Sequence, residues 1–484
     1  MDELPNELLK HVLGFLIDDG VSVLRLSLCS SNLSLRLNHQ QEIWKVLLHN
    51  RWRSSKSKQN ESTSPPSNES DGRVLVTNYR QEYIRRLEID QRVLEILNEM
   101  TADLKDVFQL DEDNDENDED GKEIKFQTVD GDPHIGQSWE HHSRETLFSY
   151  RWDTIDILKS EAATTTKQSL PTSCRLKKFL AARLLQNIHF AQCLYEWKEI
   201  NKLELLSGAL TRETGSQMNA ILMERYAILV CLTQQSPPEL LRDIDVSQRI
   251  RDELDEIANT CRRRIQPSMT TLEQIQIVKD VLVYHYCFVG NEGDYYNYKN
   301  SMLNFTLESK KGIPLTLCIL WICVCRRLDL QVHLIGLPGH VVLGFRDDDD
   351  NELSLRFLDV FHQGRILTLP DCQRICGSYG VPWTQDFLNP LAASHVLQRI
   401  LNNLTNCHFQ AMANHNDPDG DGVLFHSDLF FQQRALASIH RQPPEIAGPL
   451  VERVAQQLPL TLSPDLLRFY GLLSQRRGGG TRST

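Results

Sequence analysis

The chain has 484 residues, 40% of them hydrophobic, and a formal net charge of −13. That length admits two to four domains, or a long helical body with attachments. The acidic balance argues against a nucleic-acid partner, which needs a basic face. Much of the charge lies in DEDNDENDED at 111–120, with eight acids and no base. The run reads as part of a disordered acidic loop over 108–140, because it lacks spaced ligands on a turn framework. The 12 cysteines form no CxxC pair and no zinc-spaced cluster, and Cys231, Cys287, Cys318, Cys323 and Cys325 sit in apolar runs. They read as reduced thiols of a cytoplasmic or nuclear protein. The N-terminus has no basic leader. The most apolar run, Ile313 to Cys325, is too short to span a bilayer and is flanked by Lys310–Lys311 and Arg326–Arg327, so no membrane association is expected.

In residues 2–52, Leu4, Leu8, Leu9, Val12, Leu13 and Leu16 recur at helical spacing. Pro5 suits a first helical turn, where its missing N–H costs nothing. Gly20 and Ser30-Ser31-Asn32 punctuate further short helices, and Trp44, Val46, Leu47 and Leu48 close the block. A bundle this small is marginal by itself and is expected to lend leucines to a partner. The segment resembles an F-box, through Leu4-Pro5-x-Glu7-Leu8-Leu9, the Val12/Leu13/Leu16 face, the Leu24/Leu26/Leu28 helix and Trp44. The resemblance implies docking on a Skp-type adaptor, and through it on a cullin-RING ubiquitin ligase, with Leu4, Pro5, Leu8, Leu9, Val12 and Trp44 as the adaptor-binding residues.

Residues 53–73 are Ser/Pro/Asn-rich and read as a flexible linker. The region 74–275 reads as helical, with a long amphipathic helix over 74–107 and further periodic stretches at Phe179–Tyr195, Met218–Leu232 and Leu240–Ile257. Another follows at Leu272–Phe288, with Thr271 marking a helix start. The region shows no internal repeat period.

The central block, 276–380, holds the residue types that carry chemistry. Gly312-Ile313-Pro314 opens an apolar helix to about Leu328, and its N-terminus favours an anionic nucleophile. Thr316 and Cys318 both lie near that start, about 200° apart around the helix, so they cannot share one site. Strands are expected at 332–337, 341–345 and 354–361, with Pro338-Gly339-His340 between the first two. If the last two strands pair with Phe345 opposite Ser354, His340 falls opposite Asp359, as the base and orienting acid of a triad would.

This block resembles the transglutaminase-like domain of the SirB family, through Gly290-Asn291, Asp294-Tyr295-Tyr296, Asn300-Ser301, GIPLTL, Pro338-Gly339-His340 and Leu358-Asp359-Val360-Phe361. The resemblance implies a papain/transglutaminase-like core with a small antiparallel sheet. It places His340 and Asp359 at the second and third triad positions, and Thr316 where an active transglutaminase carries Cys. An internal threonine is a weak nucleophile, so Thr316, Cys318, His340 and Asp359 read as a relict site.

Residues 381–475 read as helices at hairpin spacing, which the same resemblance identifies as tetratricopeptide-like, and 476–484 as a tail. The loop DPDGDGVLFHSD offers Asp417, Asp419, Asp421 and Asp428 in an EF-hand-like calcium pattern, with Asp in place of the final Glu. Larger members of the family carry a further domain resembling a hemimethylated-DNA-binding protein, for which the sequence leaves no room after SQRRGGGTRST.

The expected fold is thus α+β and predominantly α, with no cofactor. The expected function is substrate recognition within an SCF (Skp–cullin–F-box) ubiquitin ligase, with a protein substrate for ubiquitination held by a non-catalytic transglutaminase-like module. The alternative is a thiol- or hydroxyl-dependent protease, amidase or transglutaminase using Thr316 or Cys318 with His340 and Asp359.

Overall fold

A computed structural model describes residues 37, 41–51, 78–108, 153–163, 172–207, 212–242, 244–347, 355–413 and 421–457. The chain divides into two compact units, one comprising residues up to Ile188 together with those from Gln456 on, the other His189–Ala455. Helices dominate the described residues of both, and no described helix is long and apolar enough to cross a membrane.

The described part of the first unit includes α1 (Gln41–Arg51), α2 (Tyr79–Phe108) and α3 (Ile155–Ala163), and α4 (Thr172–Ser207) begins in it. Helix α1 packs on α2 through Trp44, which is fully buried. The Trp44 indole N–H donates to the Leu37 carbonyl at 2.8 Å, and the ring lies 5.6 Å from that of Tyr83. The amphipathic stretch expected at 74–107 is α2, whose buried Tyr83, Ile89, Val93, Ile96, Leu97 and Met100 form its inner stripe.

In the second unit, α5 (Arg212–Thr233) and α6 (Val246–Arg262) pack against α9 (Pro314–Arg327). Helix α6 starts at Val246 because the Asp245 side chain caps it, accepting from the Gln248 N–H. Helix α7 (Thr271–Lys279) starts as the sequence indicates, with Thr270 and Glu273 forming a capping box. It then passes into a π-helical turn, Asp280–His285. Helix α8 (Leu303–Ser309) precedes α9.

Eleven consecutive residues of α9, Leu315 to Cys325, are buried. A helix apolar all round must be enclosed, and Pro314 at its first turn sets where it starts. Two sheets accompany it. Strands β1 (Val289–Gly290) and β2 (Lys311–Gly312) form a short parallel pair. Strands β3 (Val332–Leu337), β4 (His340–Arg346), β5 (Leu355–Asp359) and β6 (Arg365–Leu367) form an antiparallel sheet in sequential order.

Side chains alternate across this sheet. Ile335, Leu337, Val342, Phe357 and Leu367 share one face and cluster with Cys372 and Cys376 of α10 (Leu369–Ser378). Leu334, Val341, Leu343, Phe345 and Leu358 are buried on the opposite face, where α9 packs against β3 and β4.

Three further helices close the second unit's described part: α11 (Ala393–Ala413), α12 (Asp421–His440) and α13 (Pro444–Gln457). Buried His408 on α11 pairs with Gln234 Oε1 at 2.7 Å, and His440 on α12 with the Ser394 carbonyl at 2.8 Å.

Candidate functional site

The turn between β3 and β4 builds one wall of the site. Leu337 pairs with His340, leaving Pro338-Gly339 as a two-residue loop. Gly339 has φ +70°, and a Cβ there would lie 2.3 Å from the Tyr379 ring. Proline followed by a left-handed glycine suits a tight reversal, and it delivers His340 as the first residue of β4. Asp359 is the last residue of β5, and His362 follows on the turn to β6, where Gln363 and Gly364 have φ of 58° and 66°.

These three side chains meet. Nε2 of His340 lies 3.2 Å from Oδ2 of Asp359, and Nδ1 of His362 lies 2.8 Å from the same oxygen. The His362 backbone N–H donates to Oδ1 at 3.3 Å. The His340 nitrogen is buried, yet its approach does not satisfy hydrogen-bond geometry. Burial pushes the Asp359 carboxyl up, but His340, aided by His362, more than offsets this and holds it below the ordinary aspartate range.

The expected contact between His340 and Asp359 is therefore present, but through another register. Leu343 lies opposite Leu358 and Phe345 opposite Arg356, two residues from the expected Phe345–Ser354 pairing. A two-residue shift keeps every side chain on its face, whereas a one-residue shift reverses them. His340 and Asp359 consequently meet on a diagonal, which long side chains can span.

Thr316 Oγ1 and His340 Nε2 have no hydrogen-bond partner, while Cys318 lies near enough to Asp359 to feel its charge. The observed register puts His340 and Asp359 on the sheet face covered by α10. Thr316 is 2% exposed and its Oγ1 has no hydrogen-bond partner. Cys318 is fully buried, and burial, with the Asp359 charge adding to it, pushes its thiol well above the ordinary range, while Arg399 opposes. A thiol kept protonated is a poor nucleophile.

Beside the pair opens a cleft of about 470 Å³, lined by His340, Asp359, His362, Arg365, Arg374 and Tyr379 among others. Sequence reasoning missed all of these except His340 and Asp359. For His362 a signal exists, since Asp-x-x-His places an imidazole one turn beyond the carboxylate. For the α10 residues there is none, because a separate helix brings them in.

The residues carrying the SirB-type resemblance around Gly290 shape the back of this region. A Cβ on Gly290 would lie 2.5 Å from the Phe361 ring, and Tyr295 packs edge-on to that ring at 6.4 Å between centroids. Asn300 donates to the Asp294 carbonyl at 2.5 Å and accepts from Asn291 at 2.9 Å. These polar residues hold a loop by hydrogen bonds to one another.

Of the expected adaptor-binding residues, Leu4, Pro5, Leu8, Leu9 and Val12 lie outside the described residues. Trp44 is described, and its ring is enclosed by this chain's own Leu37 and Tyr83; here it acts as a core residue. In the calcium-type pattern, Asp417 and Asp419 lie outside the described residues. Asp421 and Asp428 fall in the first turns of α12. This corrects the expected loop, because a regular helix through 421–428 cannot wrap its ligands around one ion as a twelve-residue loop does.

Residues 248–402 match the family model of the transglutaminase-like superfamily. The chain is 27% identical over 121 residues to F-box only protein 21 of Mus musculus, a match covering 24% of this chain and 19% of that protein. The Homo sapiens F-box only protein 21 matches at 26% over the same length. A UPF0162 protein of Xylella fastidiosa (strain 9a5c) is 32% identical over 123 residues, 24% of this chain and 42% of that protein. The chain thus aligns with about a fifth of F-box only protein 21 and less than half of the bacterial relative. No solved structure is a significant match. The central block is transglutaminase-like, as its motifs indicate, and the chain is similar to an F-box only protein.

Proposed function

We propose that this chain is a substrate-recognition subunit of an SCF-type ubiquitin ligase, with its transglutaminase-like region serving as a binding fold. The observation that carries the reading is the conjunction of two features: a leucine-rich F-box-like segment at 2–52, and similarity to F-box only protein 21. In this reading Leu4, Pro5, Leu8, Leu9 and Val12 hold the Skp-type adaptor, and the adaptor brings the cullin-RING partner. The cleft beside His340 and Asp359 holds part of the protein substrate, and ubiquitin transfer is performed by the partners. The raised thiol of Cys318 and the unpartnered hydroxyl of Thr316 support a non-catalytic role.

Affinity capture of the full chain tests this. A Skp-type adaptor is expected to co-purify with the unaltered chain and to be lost with Leu8→Ala/Leu9→Ala. Adaptor binding that survives the double substitution sinks the reading.

A second reading is favoured by one observation, the contact of His340 with Asp359 at 3.2 Å, the base–orienter half of a triad. It takes the chain as a thiol- or hydroxyl-dependent protease, amidase or transglutaminase. Covalent labelling of Cys318 or Thr316 by an amide-directed electrophile, abolished by His340→Ala, is the result it requires.

A further inference from the structure

We propose that His340, Asp359 and His362 form a binding site for one divalent transition-metal ion, of which zinc is the type. The inference stands apart from the adaptor reading, because none of the three residues belongs to the F-box-like segment.

Three ligands that suit such an ion converge here. Nε2 of His340, a carboxylate oxygen of Asp359 and Nδ1 of His362 all lie within 4.8 Å of one another. Two imidazoles and one carboxylate form a donor set that prefers zinc and its neighbours to calcium or magnesium, which favour all-oxygen cages. Three protein ligands also leave a coordination position open, as in metal sites that bind water or substrate. All three ligands line the cleft of about 470 Å³.

The arrangement is better suited to an ion than to a hydrogen-bonded trio. Both ring nitrogens approach the same oxygen, Oδ2, while Oδ1 receives only a backbone N–H. The His340 nitrogen, buried and at 3.2 Å, is not aligned for a hydrogen bond. Bonds of about 2.0–2.1 Å to zinc require the donor atoms to close around the ion. The adjustment falls on His362, whose side chain is 58% exposed and reaches Asp359 from a turn. Asp359 and His340, at 7% and 12%, are held by the sheet. In the cleft, Arg374 is paired with Asp371, and Arg365 adds a positive charge to the lining.

Metal occupancy also separates this inference from the catalytic alternative. An ion bound to Nε2 of His340, the nitrogen that faces Asp359, leaves the ring proton on Nδ1, the nitrogen that a general base oriented by Asp359 would use, so one imidazole cannot do both.

The test is isothermal titration of the full chain, stripped with chelator, against zinc chloride. One equivalent is expected to bind. His362→Ala is expected to weaken binding by more than about 100-fold, since outer-shell partners alone are worth about 10–100-fold. Asp359→Asn should weaken it as well, and His395→Ala, at an exposed position on α11, should leave it unchanged. With cobalt(II) as the probe, visible d–d bands should appear without thiolate charge-transfer absorption. Far-UV circular dichroism confirms that the His362→Ala chain is folded, as its exposure predicts. The proposal is overturned by an absence of stoichiometric binding, by binding that survives both His362→Ala and Asp359→Asn, or by a thiolate band that assigns the ion to cysteine.

Discussion

Removing the carboxylate of Glu224 is expected to loosen the helix on which the central block is built. Glu224, on α5, is 6% exposed. It accepts from Arg326 Nη2 at 2.9 Å and from Arg327 at 2.5 and 3.0 Å. Arg327 also reaches Asp255 on α6 at 2.5 Å, so this guanidinium, held mainly by Glu224, ties the last turn of α9 to α5 and α6. Glu224→Ala leaves two guanidinium groups without their main counter-charge, one of them only 10% exposed. Breaking a buried pair by removing one partner costs about 3–5 kcal/mol. Glu224→Gln, which keeps an acceptor and loses the charge, should cost less. Burial pushes the Glu224 carboxyl up, but Arg327 and Arg326 outweigh it and hold it below the ordinary glutamate range. Its contribution is therefore fully present above the unfolded value of about 4.3 and fades as pH falls through the folded value. The difference between Glu224→Ala and the unaltered chain should be largest near neutrality and shrink in acid. Because the chain holds two compact units, a single unfolding midpoint is not a well-defined readout. Hydrogen exchange of peptides covering 314–327 under increasing urea reports the helix itself. A change below about 1 kcal/mol at neutral pH, the range of an exposed ion pair, refutes the reasoning.

Other substitutions probe the site and the first unit. Gly339→Ala should cost about 1–2 kcal/mol for its left-handed backbone alone, and more because the new Cβ would lie 2.3 Å from Tyr379; chemical denaturation checks this, and unchanged stability would mean the turn relaxes. Trp44→Ala should destabilise the first unit by about 3–5 kcal/mol, read as faster exchange across residues 79–108, because the indole is fully buried and bonded to Leu37. Iodoacetamide at neutral pH should label exposed Cys174 and Cys287 and spare Cys318, whose thiol burial holds protonated; rapid labelling of Cys318 would restore the thiol-enzyme reading.

Several elements follow directly from local residue patterns. Pro314 followed by an unbroken apolar run fixes both the start and the full enclosure of α9. Alternating apolar residues around Pro338-Gly339 mark β3 and β4 and the turn between them. The short β6 and the helix α10 escaped notice, since three residues of strand and a ten-residue segment with two buried cysteines carry little periodic signal. The calcium pattern misled because ligand types at the right spacing are compatible with a helix as well as with a loop, and here the backbone of 421–428 is helical.

The sequence by itself determined which residue types stand at the centre. It supplies the histidine after Pro-Gly, the aspartate at a strand end, the threonine where a thiol would be, and a leucine-rich N-terminal segment. Those depend only on identity and on periods of two and 3.6, which local sterics enforce. What only the tertiary structure decided is which of them meet. The strand register shifted by two residues, the same face was kept, and His340 reached Asp359 on a diagonal. His362 joined them from the following turn, α10 walled the cleft, and Thr316 and Cys318 stayed buried on α9. Pairing register and the covering helix are set by contacts between distant segments, so no local pattern encodes them.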